Sequence, residues 1–297
     1  MFDFRLKVFY TVARRLNFTK AAQELYITQP SVTKHIKEIE NYYQTKLFDR
    51  NGTKIKLTKA GTILFRHTEQ LFKIYRNIDL DLDSLKHDNK GTLHLGVSTT
   101  IAQYVLPSYL AAFKEQFPDI SIKLTTQNTD NIEALLLDHK IDMGIIEGYS
   151  KRRNLNYLAF AKDEIVLCTH INNNLVKTSS ITLNSIGKLP LITREQGSGT
   201  LEVIHNALSK ANFNLSHLNI ELVLESTESI KNYLLNSKAF AFLSIHSIYK
   251  ELLNKEMKII DIKDFEIERH FYLVNEQGQT ETLPLIFQRF LLTHSQR

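Results

Sequence analysis

The chain divides according to the period of its apolar residues. Phe4, Leu6, Val8, Phe9, Val12, Ala13 and Leu16 recur at helical spacing and predict an amphipathic helix over 4–16. Asn17-Phe18-Thr19 interrupts it, and Thr19 is placed to cap a short helix from Lys20 to Leu25. Tyr26-Ile27-Thr28 makes a break before the next helix. Thr28 reads as its N-cap, with Pro30 near its start, where a missing backbone N–H costs nothing. Val32, Ile36 and Ile39 point inward from this helix, while Gln29, Ser31, Thr33, Lys34, His35 and Lys37 take the other face. Two short helices joined in this way form a helix-turn-helix. Lys46–Arg50 and Lys54–Thr58 then alternate in polarity around Asn51-Gly52, which predicts a hairpin wing with a turn-forming tip.

From Thr58, a further cap, a helical pattern runs to about Lys86. Leu64, Leu71, Ile78 and Leu85 fall seven residues apart, with Ile74 between them. Such a heptad predicts a helix about 40 Å long that packs against a second helix. That second helix belongs either to another copy of the chain or to its own domain. His87-Asp88-Asn89-Lys90-Gly91 reads as a hinge.

Past Gly91 strands alternate with helices. Thr92–Val97 predicts a strand, Ile101–Gln116 a helix and Ile120–Thr126 a strand; Thr129 caps a helix to about His139, and Met143–Ile146 is an apolar strand. This alternation implies a parallel sheet covered by helices. Ligands in such folds bind beyond the carboxyl ends of the strands, here Ser98-Thr99-Thr100 and Glu147-Gly148. A second lobe begins near Lys162, with strands at Ile165–Thr169 and Leu189–Thr193. The latter leads through Arg194-Glu195-Gln196-Gly197-Ser198-Gly199-Thr200 into a helix near Leu201. Glycines let the backbone approach a ligand, hydroxyls donate, and a helix N-terminus favours negative charge. The run has neither the Gly-Lys pair of a Walker loop nor a dinucleotide fingerprint. Taken alone, a glycine-rich helix cap fits it equally well.

Charge sharpens the division. The net charge is +5, yet residues 1–90 carry 17 Lys+Arg against 10 Asp+Glu, and residues 1–59 alone carry 12 against 5. A localised basic excess is the footprint of a polyanionic partner, here double-stranded DNA. The N-terminal residues of the second helix, with their amide, hydroxyl and basic side chains, are placed to enter the major groove. Thr19, Lys20 and Arg50 suit phosphate contacts, and Lys54 and Lys56 on the wing reach the backbone beside the groove. No apolar run approaches a membrane span, and the first five residues lack a secretory pattern. A lone Cys168 leaves no internal disulfide, so a cytoplasmic protein is expected.

Catalytic patterns are sparse. The 11 histidines include no His-Glu-x-x-His arrangement, and no metal or other cofactor is expected. Cys168 and His170 share one side of a strand, where a buried core cysteine is the expectation. Neither Ser98 nor Ser198 sits in a Gly-x-Ser-x-Gly elbow. The alternative to a pure sensor is an enzyme acting on a small anionic metabolite with a fused DNA-binding domain.

Phe18-Thr19-Lys20-Ala21-Ala22, Leu25, Thr28-Gln29-Pro30-Ser31-Val32-Thr33-Lys34, Ile36, Ile39-Glu40, Leu47-Phe48-Asp49-Arg50 and Leu57-Thr58-Lys59-Ala60-Gly61 together resemble the signature of LysR-type transcriptional regulators. The resemblance covers the whole N-terminal domain at fixed spacing. It implies that Gln29, Pro30, Ser31, Thr33 and Lys34 occupy recognition-helix positions. One departure is Gln44, where the family commonly has glycine; a left-handed backbone there would cost glutamine roughly 1 kcal/mol.

The second half resembles the two-lobed, periplasmic-binding-protein-like effector domain of the same family, nearest the branch of sulfur-assimilation and carbon-fixation regulators. Ser98-Thr99-Thr100-Ile101, Asp142–Gly148, Arg194–Thr200 and Ser226–Lys231 carry that resemblance. The implied architecture is α/β overall. An all-α winged helix-turn-helix occupies 1–58, a linker helix and hinge 59–90, and an effector domain 91–297. Its first lobe takes 91–161 and 268–297, and its second 162–267. The chain would cross between lobes near Ala161 and again around Ile262–Glu268, return on a strand at His270–Val274, and end in a helix from Leu283. The cleft would be lined by Ser98, Thr99, Thr100, Glu147, Ser198, Gly199, Thr200 and Thr227. Its wealth of hydroxyls and N–H donors predicts a small oxyanion: sulfite, sulfate or a short carboxylate. Glu147 would then be turned away or paired with Arg194. A homodimer through the linker helix, and a homotetramer beyond it, complete the expectation.

Overall fold

A computed structural model of the protein describes residues 3–51, 54–84, 90–148, 152–278 and 282–295. The chain forms two compact units, Met1–Leu82 and Asp83–Arg297.

In the first unit, α1 (Phe4–Arg15), α2 (Phe18–Glu24) and α3 (Gln29–Tyr42) enclose one apolar cluster. Val8, Phe9, Val12, Ala21, Val32 and Ile36 lie at its centre. Asn17, not Thr19, caps α2: its side chain accepts the Lys20 N–H at 2.9 Å, and the helix starts at Phe18. Thr28 caps α3 through the Ser31 N–H. Beyond α3, Gln44 has φ +50°, the left-handed conformation that glycine would adopt without strain.

Strands β1 (Phe48–Asn51) and β2 (Lys54–Leu57) pair antiparallel, with Asp49 opposite Lys56. Gly52, half of the expected turn tip, lies outside the described residues. The wing is fixed to α3 by the buried Glu40, whose carboxylate accepts the Leu47 N–H at 2.9 Å. Helix α4 (Lys59–Ser84) follows, started by Thr58 accepting the Gly61 N–H. A Cβ on Gly61 would lie 2.1 Å from the Leu47 carbonyl oxygen, so the helix reaches the wing this closely only with glycine there. Tyr10 stacks on Phe65 and meets Phe72 edge-on, which seats α4 on α1. Farther along, Leu71, Ile74, Ile78 and Leu82 are exposed, while Leu64 packs on the core. Leu85 and most of the expected hinge lie outside the described residues.

The second unit begins with β3 (Gly91–Ser98), a π-helical turn over Ile101–Val105, α5 (Leu106–Gln116), β4 (Ile120–Gln127), α6 (Thr129–Leu137) and β5 (Met143–Glu147). Next come β6 (Leu155–His170), β7 (Ser180–Ile181), β8 (Leu191–Thr193), α7 (Gly199–Lys210) and β9 (Ile220–Val223). The chain continues through α8 (Thr227–Leu235), β10 (Phe240–Ser244), α9 (Ile245–Leu253), β11 (Met257–Ile259) and β12 (Asp261–Ile262). It finishes with β13 (Ile267–Glu276) and α10 (Thr282–His294). Asn128 caps α6 by accepting the Asn131 N–H; Thr129, the expected cap, donates instead to the Glu147 carbonyl at 2.7 Å.

One sheet runs through the unit in the order β4-β3-β5-β13-β6-β10-β8-β9, with β11 also on β6. β3 is parallel to β4 and β5, and β8 is parallel to β9 and β10. Two parallel groups, each with its own helices, thus flank an antiparallel pair, β6 and β13, that belongs to both. The expected crossing near Ala161 is interior to β6, whereas of the one expected around Ile262–Glu268 only Ile267 and Glu268 lie in β13, at its start. Phe113, Phe287 and Phe290 form the aromatic core where α5 meets α10. Separate apolar clusters around Leu208 and Phe240, and around Ile230 and Leu243, fill the other lobe.

Candidate functional site

In the first unit the exposed residues collect on one side of α3. Gln29, Pro30, Lys34 and Lys37 are exposed, and Ser31 and Thr33 are half-buried. Gln29 donates to the Thr33 hydroxyl at 3.1 Å, which holds its amide along the helix surface. Gln29, Pro30, Thr33, Lys34 and Lys37 line an open hollow of about 660 Å³. Thr19 and Lys20 are exposed on the first turn of α2, and Lys56 is exposed on β2. The side chains of Arg50 and Lys54 lie outside the described residues.

In the second unit the strand ends converge as the carboxyl-end rule requires. Ser98 ends β3 and Glu147 ends β5; both are buried, and the Ser98 hydroxyl donates to Glu147 Oε2. From the other lobe, Thr200 in the first turn of α7 donates to Glu147 Oε1 at 3.1 Å. The same Thr200 oxygen accepts from Arg269 Nη1 at 2.8 Å, and that guanidinium nitrogen lies 3.8 Å from Glu147 Oε1. Arg269 stands on β13 directly opposite Asp163 on β6, with Nε 2.7 Å from Asp163 Oδ2. Ser244, at the end of β10, donates to the other Asp163 oxygen at 2.8 Å.

Backbone packing brings the lobes equally close. A Cβ on Gly199 would lie 1.8 Å from the Glu147 carbonyl oxygen, and one on Gly148 would lie 3.2 Å from Gly199 Cα. Gly148 has φ +129°. The Gly-Ser-Gly-Thr run therefore serves close approach between lobes. Three buried donors around it have no hydrogen-bond partner among the described residues: Arg269 Nη2, Arg194 Nη1 and Ser198 Oγ. Ser198 also lines a cavity of about 330 Å³ together with Asp130, Gln196, Gly197 and Glu202.

Arg194 is buried and its partner is Glu195, at 2.8 Å; Glu147 is thus neither paired with Arg194 nor turned away, the two alternatives open from the sequence, but faces Ser98 and Thr200. Thr100 and Thr227 are buried and Thr99 is half-buried. No side-chain hydrogen bond among the described residues joins these three to the Glu147 network. A second bridge between lobes was not anticipated. Tyr104, in the π-helical turn, donates to Glu228 at 2.5 Å, and the buried Lys231 lies over the Tyr104 ring while pairing with Glu228 and Glu251. Burial raises the Glu228 carboxyl, but the hydrogen bonds from Tyr104 and Lys231 outweigh it and hold the group below its ordinary value.

Arg269 and Asp163 were missed because they lie between the expected crossings and the stretches read as strands, which began only at His270 and Ile165. A signal was present: Ile267, Arg269, Phe271 and Leu273 recur with period two, which puts a guanidinium in an otherwise apolar, buried row.

A helix-turn-helix with a basic exposed face, together with an α/β unit holding a polar interlobe centre, defines a DNA-binding regulator with a ligand-binding unit. Residues 4–62 match the bacterial regulatory helix-turn-helix protein, lysR family, and residues 86–291 match the LysR substrate binding domain. The chain belongs to the LysR family of transcriptional regulators. It is 30% identical over 264 residues to the HTH-type transcriptional regulator CysL of Bacillus subtilis, spanning 89% of this chain and 87% of that protein. To the HTH-type transcriptional activator CmpR of Synechocystis it is 29% identical over 287 residues, spanning 97% and 92%. The regulatory domain of Synechocystis CcmR, solved in complex with 2-PG, superposes with a TM-score of 0.63 at 27% identity, over 70% of this chain and 98% of that one. The protein is thus a DNA-binding transcriptional regulator under small-molecule control. Among the described residues no helix is long and apolar enough to cross a membrane.

Proposed function

We propose that the effector is a small oxyanion, of the size of sulfite, sulfate or a short carboxylate, held between the two lobes. The observation that carries this is the set of unpartnered buried donors, Arg269 Nη2, Arg194 Nη1 and Ser198 Oγ, beside the N-terminus of α7. A buried guanidinium nitrogen without an acceptor is costly, and an oxyanion is the ligand that satisfies it best. Ser98, Glu147, Gly199 and Thr200 shape the centre, with Thr99, Thr100 and Thr227 at its margin. The likeness to a regulatory domain solved in complex with 2-PG agrees with a small-molecule ligand. Gln29, Pro30, Ser31, Thr33 and Lys34 read base edges, and Thr19, Lys20, Arg50, Lys54 and Lys56 contact phosphates. Two copies pair through the exposed apolar row of α4, and pairs associate further into tetramers. The cleft senses and does not catalyse. The single thiol, Cys168, is fully buried, and burial pushes it up and away from the reactive thiolate.

Thermal melts of the full-length protein with sulfate, sulfite, acetate and chloride test the ligand class. The expected result is a concentration-dependent rise in Tm with an oxyanion and none with chloride at equal ionic strength. Equal melts across the series would overturn it, and turnover of any of these compounds would favour the enzyme alternative.

A further inference from the structure

The groups best placed to bind an anion in the cleft are already engaged by one. Ser98 and Thr200, one from each lobe, both donate to the carboxylate of Glu147, and Arg269 Nη1 lies 3.8 Å from it. Glu147 is buried, and so are Ser98, Thr200 and Arg269. Around the one guanidinium of Arg269 there are consequently two carboxylates, Asp163 at 2.7 Å and Glu147. Arg194 adds no net positive charge, since it is paired with Glu195. A further anion placed beside this group would sit among like charges in a low-dielectric centre.

The two carboxylates are not equivalent. Asp163 faces Arg269 across paired strands and also accepts from Ser244, so it is built into the sheet. Glu147 is the last residue of β5, followed by Gly148 at positive φ. Its carboxylate is held by the two hydroxyl donors, Ser98 and Thr200, with the Arg269 guanidinium 3.8 Å away, the groups that a free oxyanion would need. Its main chain is held separately, by Thr129 on the carbonyl and by Gly199 packing against it. The side chain can leave the donors without unseating the strand.

We propose that Glu147 is a tethered internal anion. It occupies the effector position in the unliganded protein, and the effector binds by displacing it from Ser98, Thr200 and Arg269. This inference rests on the oxyanion assignment above and assigns the regulation of that same site. The internal carboxylate sets a threshold, because an external anion competes with a group held at high effective concentration. The exchange also carries the signal. The hydrogen bond between Glu147 and Thr200 ties one lobe to the other, and replacing it with a ligand resets that tie.

The test uses full-length protein and sulfate as the probe, with wild type, Glu147→Gln, Glu147→Ala and Arg269→Lys. Sulfate affinity is measured by calorimetric titration, and amide hydrogen exchange is followed over residues 197–202 without sulfate. The expected result is at least about tenfold tighter sulfate binding by E147Q and E147A than by wild type. Faster exchange at 197–202 in both variants, slowed again by sulfate, accompanies it. R269K binds sulfate more weakly than wild type. If wild type binds sulfate, R269K does not, and both Glu147 variants bind no tighter than wild type, the tethered-anion proposal falls while the oxyanion assignment stands. If wild type and both Glu147 variants all fail to bind sulfate or the other oxyanions, the assignment falls and takes the proposal with it. The glutamine is isosteric and the alanine vacates the position, so either folded variant decides the outcome.

Discussion

Arg269 and Asp163 face each other across the two strands that join the lobes, with guanidinium Nε 2.7 Å from carboxylate Oδ2 and both side chains buried. Removing one member leaves the other charged in a dry environment. Asp163→Asn and Arg269→Met should each destabilise the second unit by about 3–5 kcal/mol, whereas the paired change D163L/R269M should recover much of that loss. Urea unfolding followed by tyrosine fluorescence checks it. Two single variants as stable as wild type would show that the pair is solvated.

Gly199 allows α7 to touch the end of β5. A methyl group there would meet the Glu147 carbonyl at 1.8 Å, so Gly199→Ala should cost about 1–3 kcal/mol by forcing the lobes apart. The same change should weaken oxyanion binding, since it moves Thr200 away from Glu147 and Arg269. A melting temperature and sulfate affinity both equal to wild type would contradict this packing.

On the DNA-facing side, Lys34 and Lys56 should differ in kind. Lys34→Ala, on the exposed face of α3, should cost about 1–3 kcal/mol on the cognate site and relax sequence preference. Lys56→Ala should weaken all DNA alike and lower the slope of log affinity against log salt by about one. Fluorescence anisotropy with specific and scrambled duplexes at several salt concentrations separates the two effects.

The exposed apolar row on α4 should hold two copies together. Leu71→Glu with Ile78→Glu places buried charge in that interface and should weaken dimerisation on the order of a hundredfold or more. Sedimentation velocity over a concentration series measures it. An unchanged dimer would move the interface elsewhere.

The bridge from Tyr104 to Glu228 has a defined pH dependence. Its carboxyl is held below the ordinary value of 4.5 in the folded protein. The stability it contributes is therefore fully present above that value and is lost as pH falls through the folded value. Melting curves between pH 3 and pH 6 should show a steeper acid loss for wild type than for Glu228→Gln or Tyr104→Phe. Parallel curves would mean that the contact contributes nothing.

The helices, the wing and the alternation of the second half were legible because each writes its burial into the sequence at a fixed period. Val32, Ile36 and Ile39 are examples, and all three are buried. Caps were less legible. At Asn17-Phe18-Thr19 and at Asn128-Thr129 two competent residues stand close together, and the asparagine takes the role both times. Thr129 is drawn away by a carbonyl that lies far off in sequence. The centre of the cleft was half legible. Ser98 and Glu147 follow from the rule about strand ends and Thr200 from the glycine-rich run that starts a helix, but Arg269 and Asp163 depend on two strands pairing across 106 residues of chain. No local pattern states that pairing, although the arginine in an apolar row hinted at it.

The crossing strands set the mechanics of the second unit. β6 and β13 are hydrogen-bonded to each other through the passage from one lobe to the other, with a shift in register between Phe271 and Tyr272. Two separate linkers would let the lobes swing freely; a paired ribbon resists bending and yields most readily in twist. Effector exchange should therefore act as a small torque on a stiff element, concentrated where the register slips. The response expected within this unit is a small relative rotation of its two lobes.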